Sequence, residues 1–545
     1  MQGPRPTPQS EEARSEHPEN VSLPAGGVQW LRAHAFQSLF ILTLALGIFA
    51  RIWEFGRLPP GLNADEATIG LEAWSLFHLG IDRNGLSWPV QFISFGSGQN
   101  VLYGYTLIPF VGLLGLRAVV VRLPMLILGI FSLALLYAVG KAIAGRRFGL
   151  LAMFLLSISP WHILLSRWGL ESNTFPFVFL IAFLCLLRSR SGSHWFVLAC
   201  TLLGVCLYAY WTAYAVVPVF MTVILIIMMK NRILRGRTIA AGLAAFGLVA
   251  TPIALLLVVN TLDLATVRLG PITIPNLPVS ARYESATLLD ASHPLQELSQ
   301  NLRTAASMLV RETDGLLYNV VDPFGVFYRI SLLLGALGLA AMIVSLKNGP
   351  DLGIQLLWAW LGASFVVPLF QAVNINRFNI VFMPLLLCGA FALLWLGRHR
   401  GPWLAASIGV LLVAFAAFTA VYHGDAYRRQ ADWKFNYGLL SALHSVRESG
   451  AARVCVTDKI TMPYVFVLFE APIDPAEFLR TVQYVDPTEP LRRVRSFGRY
   501  TFGTRYCLAD EPYTYVLTAS ELTPPLGHRY DYTFFDNFVV YSPRQ

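Results

Sequence analysis

Charged residues are scarce in this sequence. Asp, Glu, Lys and Arg make up 13% of its 545 residues, whereas soluble domains carry about 25%. Hydrophobic residues reach 55%, and the mean hydropathy is +0.55. A helix that crosses a bilayer needs about 20 mostly apolar residues, and such stretches recur along the chain. The composition therefore excludes an ordinary soluble domain and predicts a polytopic α-helical membrane protein.

The sequence also lacks the cysteine patterns that bind zinc and the basic patterns that bind nucleic acid. None of the six cysteines belongs to a CxxC or Cys/His zinc spacing. Four of them lie in apolar stretches, where cysteine is a typical small core residue: Cys185, Cys200, Cys206 and Cys388. The net charge is +9, but no run of Lys and Arg is interleaved with aromatic residues. Membrane lipids, and not nucleic acid, are therefore the expected partners.

The apolar stretches predict about eleven spanning helices. They cover residues 36–53, 119–140, 148–160, 174–188, 195–210, 214–229, 238–259, 326–346, 352–370, 377–397 and 403–421. With a cytoplasmic N-terminus, the inner loops hold most of the cations, and the short outer loops hold only Arg167 and Arg377. This asymmetry follows the positive-inside rule. It predicts a multi-pass protein of the cell (cytoplasmic or inner) membrane, with outer loops at 54–118, 160–173 and 260–325.

The N-terminal residues differ from the rest of the chain. The first 28 are polar and rich in Pro, Glu and Ser, which predicts a disordered cytoplasmic tail over residues 1–35. No small-residue cleavage site follows the apolar stretch at 36–53, so we expect an uncleaved anchor. Residues 36–422 then form the predicted membrane domain.

Two segments of the first outer loop predict helices that lie in the membrane interface. Residues 100–116 are apolar, but counting them as a span would place Lys141 and its neighbouring arginines outside and upset the charge bias. Near 67–79, one face of a helix would carry Ile69, Ala73, Leu76 and Phe77.

The composition becomes polar after the last span, and residues 423–545 predict a small extracytoplasmic α/β domain. Asp432 is predicted to cap a helix, whose apolar face carries Phe435, Leu439, Leu443 and Val446. Short β-rich runs follow at 453–457, 464–469, 514–517 and 533–541. No internal repeat of fixed period is visible in the sequence.

Two cysteines, Cys455 and Cys507, lie in this C-terminal region. An outer compartment is oxidising, which favours a disulfide between them. The alternative is that Cys455, between Val454 and Val456, is an ordinary strand core residue.

A pair of carboxylates, Asp65 and Glu66, directly follows the first span. One interpretation is structural: Asn63 as N-cap and Glu66 at the third helical position form a capping pair. That would explain Glu66 fully, but it explains Asp65 less well because one cap is enough. The other interpretation is catalytic, with Asp65 as a general base at the membrane surface. We therefore take Asp65 and Glu66 as candidate catalytic residues and expect Asp65 to be the essential one.

The outer loop at 160–173 carries His162, Arg167 and Glu171. Arg167 and Glu171 are four residues apart and could pair on a helical turn. Alternatively, Glu171 faces Asp65, and Arg167 binds an anionic substrate group. Ionisable residues at membrane depth are candidates for function. For His162, packing beside aromatic residues is the more typical role, and substrate or metal binding is the alternative.

A late polar segment carries Asn376 and Arg377 at the outer end of a span. An arginine in this position often extends to phosphate headgroups. Its guanidinium also suits a bidentate contact with one specific phosphate. We take both residues as candidates for substrate binding.

In their order along the chain, these motifs resemble those of the C-fold (GT-C) glycosyltransferases. The motifs are Asp65-Glu66 after the first span, Arg122-Leu123-Pro124, Ser159-Pro160 followed by Arg167-x-x-x-Glu171, and Asn374-x-x-Arg377 followed by Pro384. Protein O-mannosyltransferases and lipid A aminoarabinose transferases are the most similar groups, and the resemblance covers about residues 30 to 400. Relatives often carry Asp at the second-loop acid, where this sequence has Glu171.

The resemblance implies a fold and a reaction. The fold would be of the GT-C type, and Asp65 would be the catalytic base of an inverting sugar transfer from a polyprenyl-phosphate sugar donor to an extracytoplasmic lipid, glycan or protein. Arg377 or Arg167 would stabilise the departing phosphate. A divalent metal ion held by Asp65 and Glu171 is an open alternative for part of that role.

Two other classes of function compete with this one. A transporter or flippase of lipid-linked glycans would typically show paired halves with broken helices, but the sequence has no paired halves and its polar groups concentrate on one side. A membrane scaffold whose outer domain binds a partner is the third alternative. An Asp65→Ala variant that folds but loses sugar transfer would separate the enzyme from both.

Overall fold

The computed structural model describes residues 34–95, 97–278, 293–346, 349, 351–489, 492–507, 511–521 and 529–544. Most of the predicted N-terminal tail lies outside these residues. Contacts divide the chain into residues 1–42 and one compact unit over residues 43–545. All candidate site residues belong to the second unit.

Among the described residues, seven helical segments are long and apolar enough to cross a membrane, by length and composition. They are Ala35–Ile52, Ala118–Ala144, Ala213–Lys230, Gly236–Thr261, Leu352–Phe370, Ile375–His399 and Gly401–Tyr422. The chain is therefore a polytopic helical membrane protein, as its composition predicted.

Helices also occupy the other four predicted spans: Arg146–Ile158, Thr174–Leu187, Ser193–Cys206 and Arg329–Leu346. They are shorter than a typical spanning helix of about 20 residues, so the count of eleven spans stays a prediction. Two of the predicted spans are each divided into two helices. The span at 352–370 contains Leu352–Ser364 and Val367–Phe370, and the span at 377–397 corresponds to Ile375–Phe378 and Phe382–His399.

Small residues let neighbouring helices approach closely. A Cβ on Gly140 would lie 2.8 Å from the Cα of Gly149, so only glycine allows this contact between Ala118–Ala144 and Arg146–Ile158. Close approach at small residues is typical of helices that pack within membranes. A cluster of large rings fills the interior elsewhere: Phe179, Phe183, Phe220 and Trp360.

The first outer segment contains helix Ala64–Leu79, the hairpin of β1 (Gln91–Ser94) and β2 (Ser97–Asn100), and helix Leu102–Leu114. Both predicted interfacial helices are thus present as helices. Ile69, Ala73 and Leu76 are buried as predicted, but Phe77 is 48% exposed. Helix Ala64–Leu79 is buried on most of its circumference. Its buried surface therefore extends beyond the single apolar face that the sequence predicted.

The long segment predicted as an outer loop, 260–325, is partly regular. It holds a hairpin of β3 (Val267–Leu269) and β4 (Ile272–Ile274) and the helix Pro294–Arg311. Short connectors elsewhere include Pro160–Leu165 and the 3-10 turn Glu171–Asn173.

The C-terminal region combines helices with one seven-stranded sheet. The helices are Asp425–Lys434, Leu439–Glu448, Pro463–Glu470 and Pro475–Thr481. The strands are β5 (Val454–Val456), β6 (Gln483–Tyr484), β7 (Val494–Phe497), β8 (Tyr500–Phe502), β9 (Thr514–Thr518), β10 (Tyr530–Phe535) and β11 (Phe538–Pro543). Their order is β10-β11-β9-β5-β8-β7-β6, with β5 parallel to both β8 and β9.

The predicted disulfide is confirmed: Cys455 of β5 is bonded to Cys507. Because residues 43–545 form one compact unit, the sheet packs with the helices before it, and its treatment as a separate domain stays a prediction.

Three details of the C-terminal prediction are wrong. Residues 464–469 form a helix and not a strand, because Pro463 starts a helix that is buried all round and therefore lacks a helical stripe. The run 533–541 contains the turn between β10 and β11. Asp432 lies inside Asp425–Lys434, and the next helix begins after Gly438, whose φ of 92° favours glycine.

Candidate active site

Asp65 lies in the first turn of helix Ala64–Leu79. The Oδ1 of Asn63, the N-cap, accepts a hydrogen bond from the Asp65 backbone N at 2.9 Å. Glu66 Oε2 accepts one from the Asn63 backbone N at 3.2 Å, which completes a capping box. The carboxylate that caps the helix is thus that of Glu66, and the half-buried carboxylate of Asp65 takes no part in the box.

Glu66 is also held by an arginine. The Nε and Nη2 of Arg122 each donate to its carboxylate at 2.7 Å, and the backbone N of Gly169 donates at 3.0 Å. Arg122 further donates to the carbonyls of Pro59 and Gly61. Both charged side chains are at most 1% exposed. The pair ties together the start of the helix, the loop before it and the second outer loop, so it fixes the position of Asp65.

Arg167 donates its hydrogen bonds to backbone carbonyls. Its guanidinium donates to Leu58 O at 2.9 and 3.1 Å, to Trp53 O at 2.7 Å and to Arg51 O at 3.2 Å. Its side chain is 1% exposed and faces the ring of Tyr422 at 5.5 Å. This geometry holds the end of the first helix and the loop after it, as a structural arginine does.

His162 is likewise part of the interior. Its Nδ1 accepts a hydrogen bond from Arg51 Nη2 at 2.7 Å, and the residue is 1% exposed. Arg51 also donates to Leu156 O at 2.9 Å. The geometry favours the packing role over substrate binding for His162.

Glu171 opens the 3-10 turn Glu171–Asn173 and is 5% exposed. The next residue connects it to the late polar segment, because the carbonyl of Ser172 accepts a hydrogen bond from Asn379 Nδ2 at 2.8 Å. The second outer loop and the segment that carries Arg377 therefore meet in the fold.

Arg377 lies on the short helix Ile375–Phe378, which Asn374 caps. Its Nη1 donates to Ala372 O at 3.0 Å, and its guanidinium lies 5.6 Å from the ring centroid of Trp211. Arg377 and the neighbouring Asn376 are both half-buried. The guanidinium is thus more accessible than that of Arg167.

Two residues that the sequence did not single out join these segments: Asp314 and Tyr318. Asp314 Oδ2 accepts hydrogen bonds from Asn319 Nδ2 at 2.8 Å and from Ile375 N at 3.0 Å, so it is attached to the Arg377 helix. Burial, followed by the charges of Asp314 and Asp65, raises the pKa of Tyr318. The Tyr318 hydroxyl is therefore a neutral group held near both carboxylates.

Hydrogen bonds thus join the Asp314 and Glu171 segments to the segment of Arg377, the charge of Asp65 acts on Tyr318, and Arg167 and His162 lie in the interior. Sequence reasoning had little chance of finding Tyr318, because one tyrosine in an irregular loop carries no pattern. Its ring centroid lies 4.9 Å from that of Trp168, a contact that only folding creates.

The positions of the acidic, histidine and cysteine side chains also bear on metal binding. Within the described ranges, no three or more His, Cys, Asp or Glu side chains group as ligands of one ion. A divalent ion held by Asp65 and Glu171 would therefore take its remaining ligands from amide or backbone oxygens, substrate or water.

An apolar cavity of about 230 Å³ lies among helices Arg146–Ile158, Pro294–Arg311, Arg329–Leu346 and Phe382–His399. Glu312 is its one charged lining residue. Its other walls include Leu155, Phe327, Leu334, Leu339, Phe382 and Leu386. The cavity is suited to a hydrocarbon chain.

No model of a known protein family matches this sequence, and no curated protein sequence matches it. Among solved structures, ArnT from Cupriavidus metallidurans bound to undecaprenyl phosphate has a TM-score of 0.54 and 12% identity, over 95% of this chain and 98% of that chain. The archaeal oligosaccharyltransferase AglB from Archaeoglobus fulgidus, in complex with an inhibitory peptide and a dolichol-phosphate, has a TM-score of 0.51 and 12% identity, over 95% and 75%.

The apo oligosaccharyltransferase of Archaeoglobus fulgidus has a TM-score of 0.49 at 13% identity. The match covers 81% of this chain, which spans 64% of that protein's length. ArnT and AglB are GT-C glycosyltransferases, so the resemblance predicted from the motifs is confirmed at the level of the fold.

Proposed function

We propose that this protein is a membrane glycosyltransferase that moves a sugar from a polyprenyl-phosphate donor to an extracytoplasmic acceptor with inversion, and that Asp65 is the general base. The observation that carries the proposal is that the two adjacent carboxylates have different contacts. Glu66 caps the helix and pairs with Arg122, whereas Asp65 stands beside it, outside the cap, near Tyr318.

The reaction follows from these groups. Asp65 would take the proton of an acceptor hydroxyl, whose oxygen forms a bond to the anomeric carbon of the donor sugar. The bond from that carbon to the phosphate oxygen breaks, and the phosphate leaves with the electron pair. A base of this kind contributes roughly 10²- to 10⁴-fold to the rate. Attack from the face opposite the phosphate inverts the anomeric centre.

The leaving group needs a cation and the donor tail needs an apolar site. Arg377 is the proposed cation because its guanidinium is accessible and suits a bidentate contact with phosphate. Asn376 lies beside it. The apolar cavity of about 230 Å³ is the proposed place for part of the polyprenyl chain. Glu66 would act as a positioning residue, and Glu171 would orient the substrate, with its neighbour Ser172 hydrogen-bonded to Asn379 of the late polar segment.

The charge bias of the loops supports an outward-facing site in the cell membrane. A lipid-borne donor fits that side, because nucleotide sugars are absent there. The enzyme is preferred over a flippase because the sequence shows no paired halves and its polar groups concentrate on one predicted side.

The test is complementation of a deletion strain, read by mass spectrometry of the cell-envelope glycans. The wild type should restore a sugar that the deletion removes, whereas Asp65→Asn should lower its transfer by about 100-fold or more. Asp531→Asn, at a carboxylate whose side chain is 73% exposed, is the matched control. Asp65→Asn at normal abundance with near-normal transfer would refute the base. Free polyprenyl phosphate should accumulate with purified wild-type enzyme, but a flippase would release none.

A further inference from the structure

A cavity beside the C-terminal sheet lies far along the chain from the candidate active site. It holds about 600 Å³, within the roughly 300–1,000 Å³ of typical ligand sites. Its lining includes Asp458, Glu489, Arg493, Arg505, Tyr506 and Phe502. The reaction proposed above uses none of these residues.

The position of the cavity follows from the sheet topology. β5 is parallel to β8 on one side and to β9 on the other. Asp458 follows the end of β5, and Arg505 follows the end of β8. Open sheets with parallel strands bind ligands in the crevice beyond the carboxyl ends of those strands. The cavity lies at such an edge, where Met462 and Pro463 also line it.

Its charged groups come in opposite pairs. Arg505 Nη2 lies 3.4 Å from Asp458 Oδ2, and Arg493 Nη2 lies 2.7 Å from Glu489 Oε1. Each pair offers N–H donors next to carboxylate acceptors, and the four charges sum to zero. All four side chains remain at least one-third exposed, so a ligand can reach them.

The remaining walls are apolar or aromatic. Met462, Val485, Val494 and Phe502 line the cavity. The ring of Tyr506 has two guanidinium groups over it, that of Arg505 at 4.8 Å and that of Arg495 at 5.1 Å from its centroid. A lining that alternates donors with acceptors beside apolar faces matches the hydroxyl groups and C–H faces of a sugar. A phosphate would instead call for a net positive lining.

The cavity is connected to the helix that carries Asp65. Helix Pro463–Glu470 begins at the cavity and, with eight residues, extends about 12 Å. Its far end packs on helix Ala64–Leu79, because a Cβ on Gly70 would lie 3.1 Å from Phe469 Cε2. One short helix therefore separates the cavity from the helix whose first turn holds Asp65.

We propose that this cavity binds an uncharged oligosaccharide, and that this is the glycan part of the acceptor. Binding of the saccharide stands on the cavity alone, and its role as acceptor rests on the proposed function. Asp458 and Glu489 would accept hydrogen bonds from sugar hydroxyls, Arg493 and Arg505 would donate to sugar oxygens, and the apolar wall at Val485 would pack against a sugar face.

The experiment uses the full-length protein in detergent and, as probe, the neutral oligosaccharide fraction released from the envelope of the source cells. Saturation-transfer NMR should show contact between the protein and sugar protons. Arg505→Ala should weaken this binding by about tenfold, as expected when a charged hydrogen bond is removed. Arg544→Ala removes a comparably exposed arginine from another carboxylate pair, Arg544–Asp531 of the same sheet, and should leave binding unchanged.

A second variant guards against misfolding. Thr461→Trp places a large ring at an exposed lining position and should block binding without changing the thermal unfolding of the protein. Failure of the neutral fraction to bind, equal binding by wild type and Thr461→Trp, or displacement of the sugar by inorganic phosphate would overturn the proposal. Asp65→Asn should still bind the sugar, so loss of transfer with retained binding would concern the reaction and not this site.

Discussion

Arg167 and Arg377 are both arginines of predicted outer segments, but their surroundings differ. The guanidinium of Arg167 is buried and donates to several backbone carbonyls, whereas Arg377 is half-buried. The sequence offered both as ligands of the donor phosphate. The geometry favours Arg377, because binding a phosphate at Arg167 would first require breaking the contacts that hold the loop after the first helix.

Replacing Arg377 by Lys tests this assignment. We expect Arg377→Lys to weaken the binding of polyprenyl phosphate by about tenfold, because a lysine cannot form the bidentate contact. Titration of the purified protein with polyprenyl phosphate measures the effect. Arg303→Lys, at an exposed arginine of helix Pro294–Arg311, is the control. Unchanged affinity of Arg377→Lys would contradict the assignment.

Glu312 is the charged residue of the apolar cavity, and its environment makes it sensitive to pH. Burial raises its pKa to about 8, although a hydrogen bond from the Phe327 backbone N opposes the shift. The folded state therefore holds a proton that the unfolded state releases near its ordinary pKa. Stability from this group is complete below that ordinary pKa and is lost as the pH rises through about 8.

We expect Glu312→Gln to remove this pH dependence, because glutamine mimics the protonated carboxyl. Between pH 5.5 and 8.5, the unfolding temperature of the wild type should fall more than that of the variant. Differential scanning fluorimetry of the detergent-solubilised protein measures both. Glu297→Gln, at an exposed acid of the preceding helix, should behave like the wild type. Parallel pH curves for wild type and Glu312→Gln would show that the carboxyl is ionised in the cavity.

At the scale of elements, a buried ion pair fixes the first turn of helix Ala64–Leu79. Glu66 joins its first turn to Arg122 of helix Ala118–Ala144 and to the backbone of Gly169. Removing one partner of a buried pair leaves an uncompensated charge, which costs about 3–5 kcal/mol. The proposed base therefore depends on a contact between elements that are far apart in sequence.

Glu66→Ala should accordingly lower the unfolding temperature and the abundance of the protein, in contrast to Asp65→Asn, which should leave both unchanged. Thermal unfolding of the two purified variants makes the comparison. Glu448→Ala, at a glutamate whose side chain is 68% exposed, controls for loss of a surface acid. A Glu66→Ala protein as stable as the wild type would show that the pair does not position the helix.

The elements also show where sequence patterns fail. Helices were correctly predicted at all the predicted spans, because a long apolar stretch by itself indicates a helix. Residues 464–469 were predicted as a strand, but they form a helix. The sequence of a short helix that is buried on all sides is a continuous apolar run, which is also typical of a buried strand. Pro463 was the available signal, since proline is typical of the first helical position.

At the scale of the whole molecule, the side of the membrane that the site faces depends on the number of spans. In the part of the chain that the structure describes, seven helices meet the length and hydropathy expected of a span, and four shorter ones occupy the other predicted positions. The charge bias predicts that the C-terminal region and Asp65 lie on the same, outer side. The disulfide between Cys455 and Cys507 is in keeping with an oxidising compartment.

A pair of reporters fused after Gln545 tests this topology. Alkaline phosphatase, which folds only outside the cytoplasm, should be active, and a cytoplasm-dependent fluorescent protein should be dark. The same reporters fused after Arg400, in a predicted inner loop, should give the opposite result. A fluorescent signal at the C-terminus would change the span count and, with it, the side assigned to Asp65 and Glu171.

The sequence by itself determined the membrane class, the helices at the predicted spans and the GT-C resemblance, because these depend on composition, on local periodicity and on short motifs in a fixed order, and it offered the disulfide as one of two alternatives. It also identified Asp65 and its capping neighbour, since a helix N-terminus is a local structure. Only the tertiary structure decided which arginine is accessible, brought Tyr318 and Asp314 to Asp65, and formed the cavity at the ends of β5 and β8. Those features are contacts between segments distant in the chain, and their geometry is set by packing and burial, which no local pattern encodes.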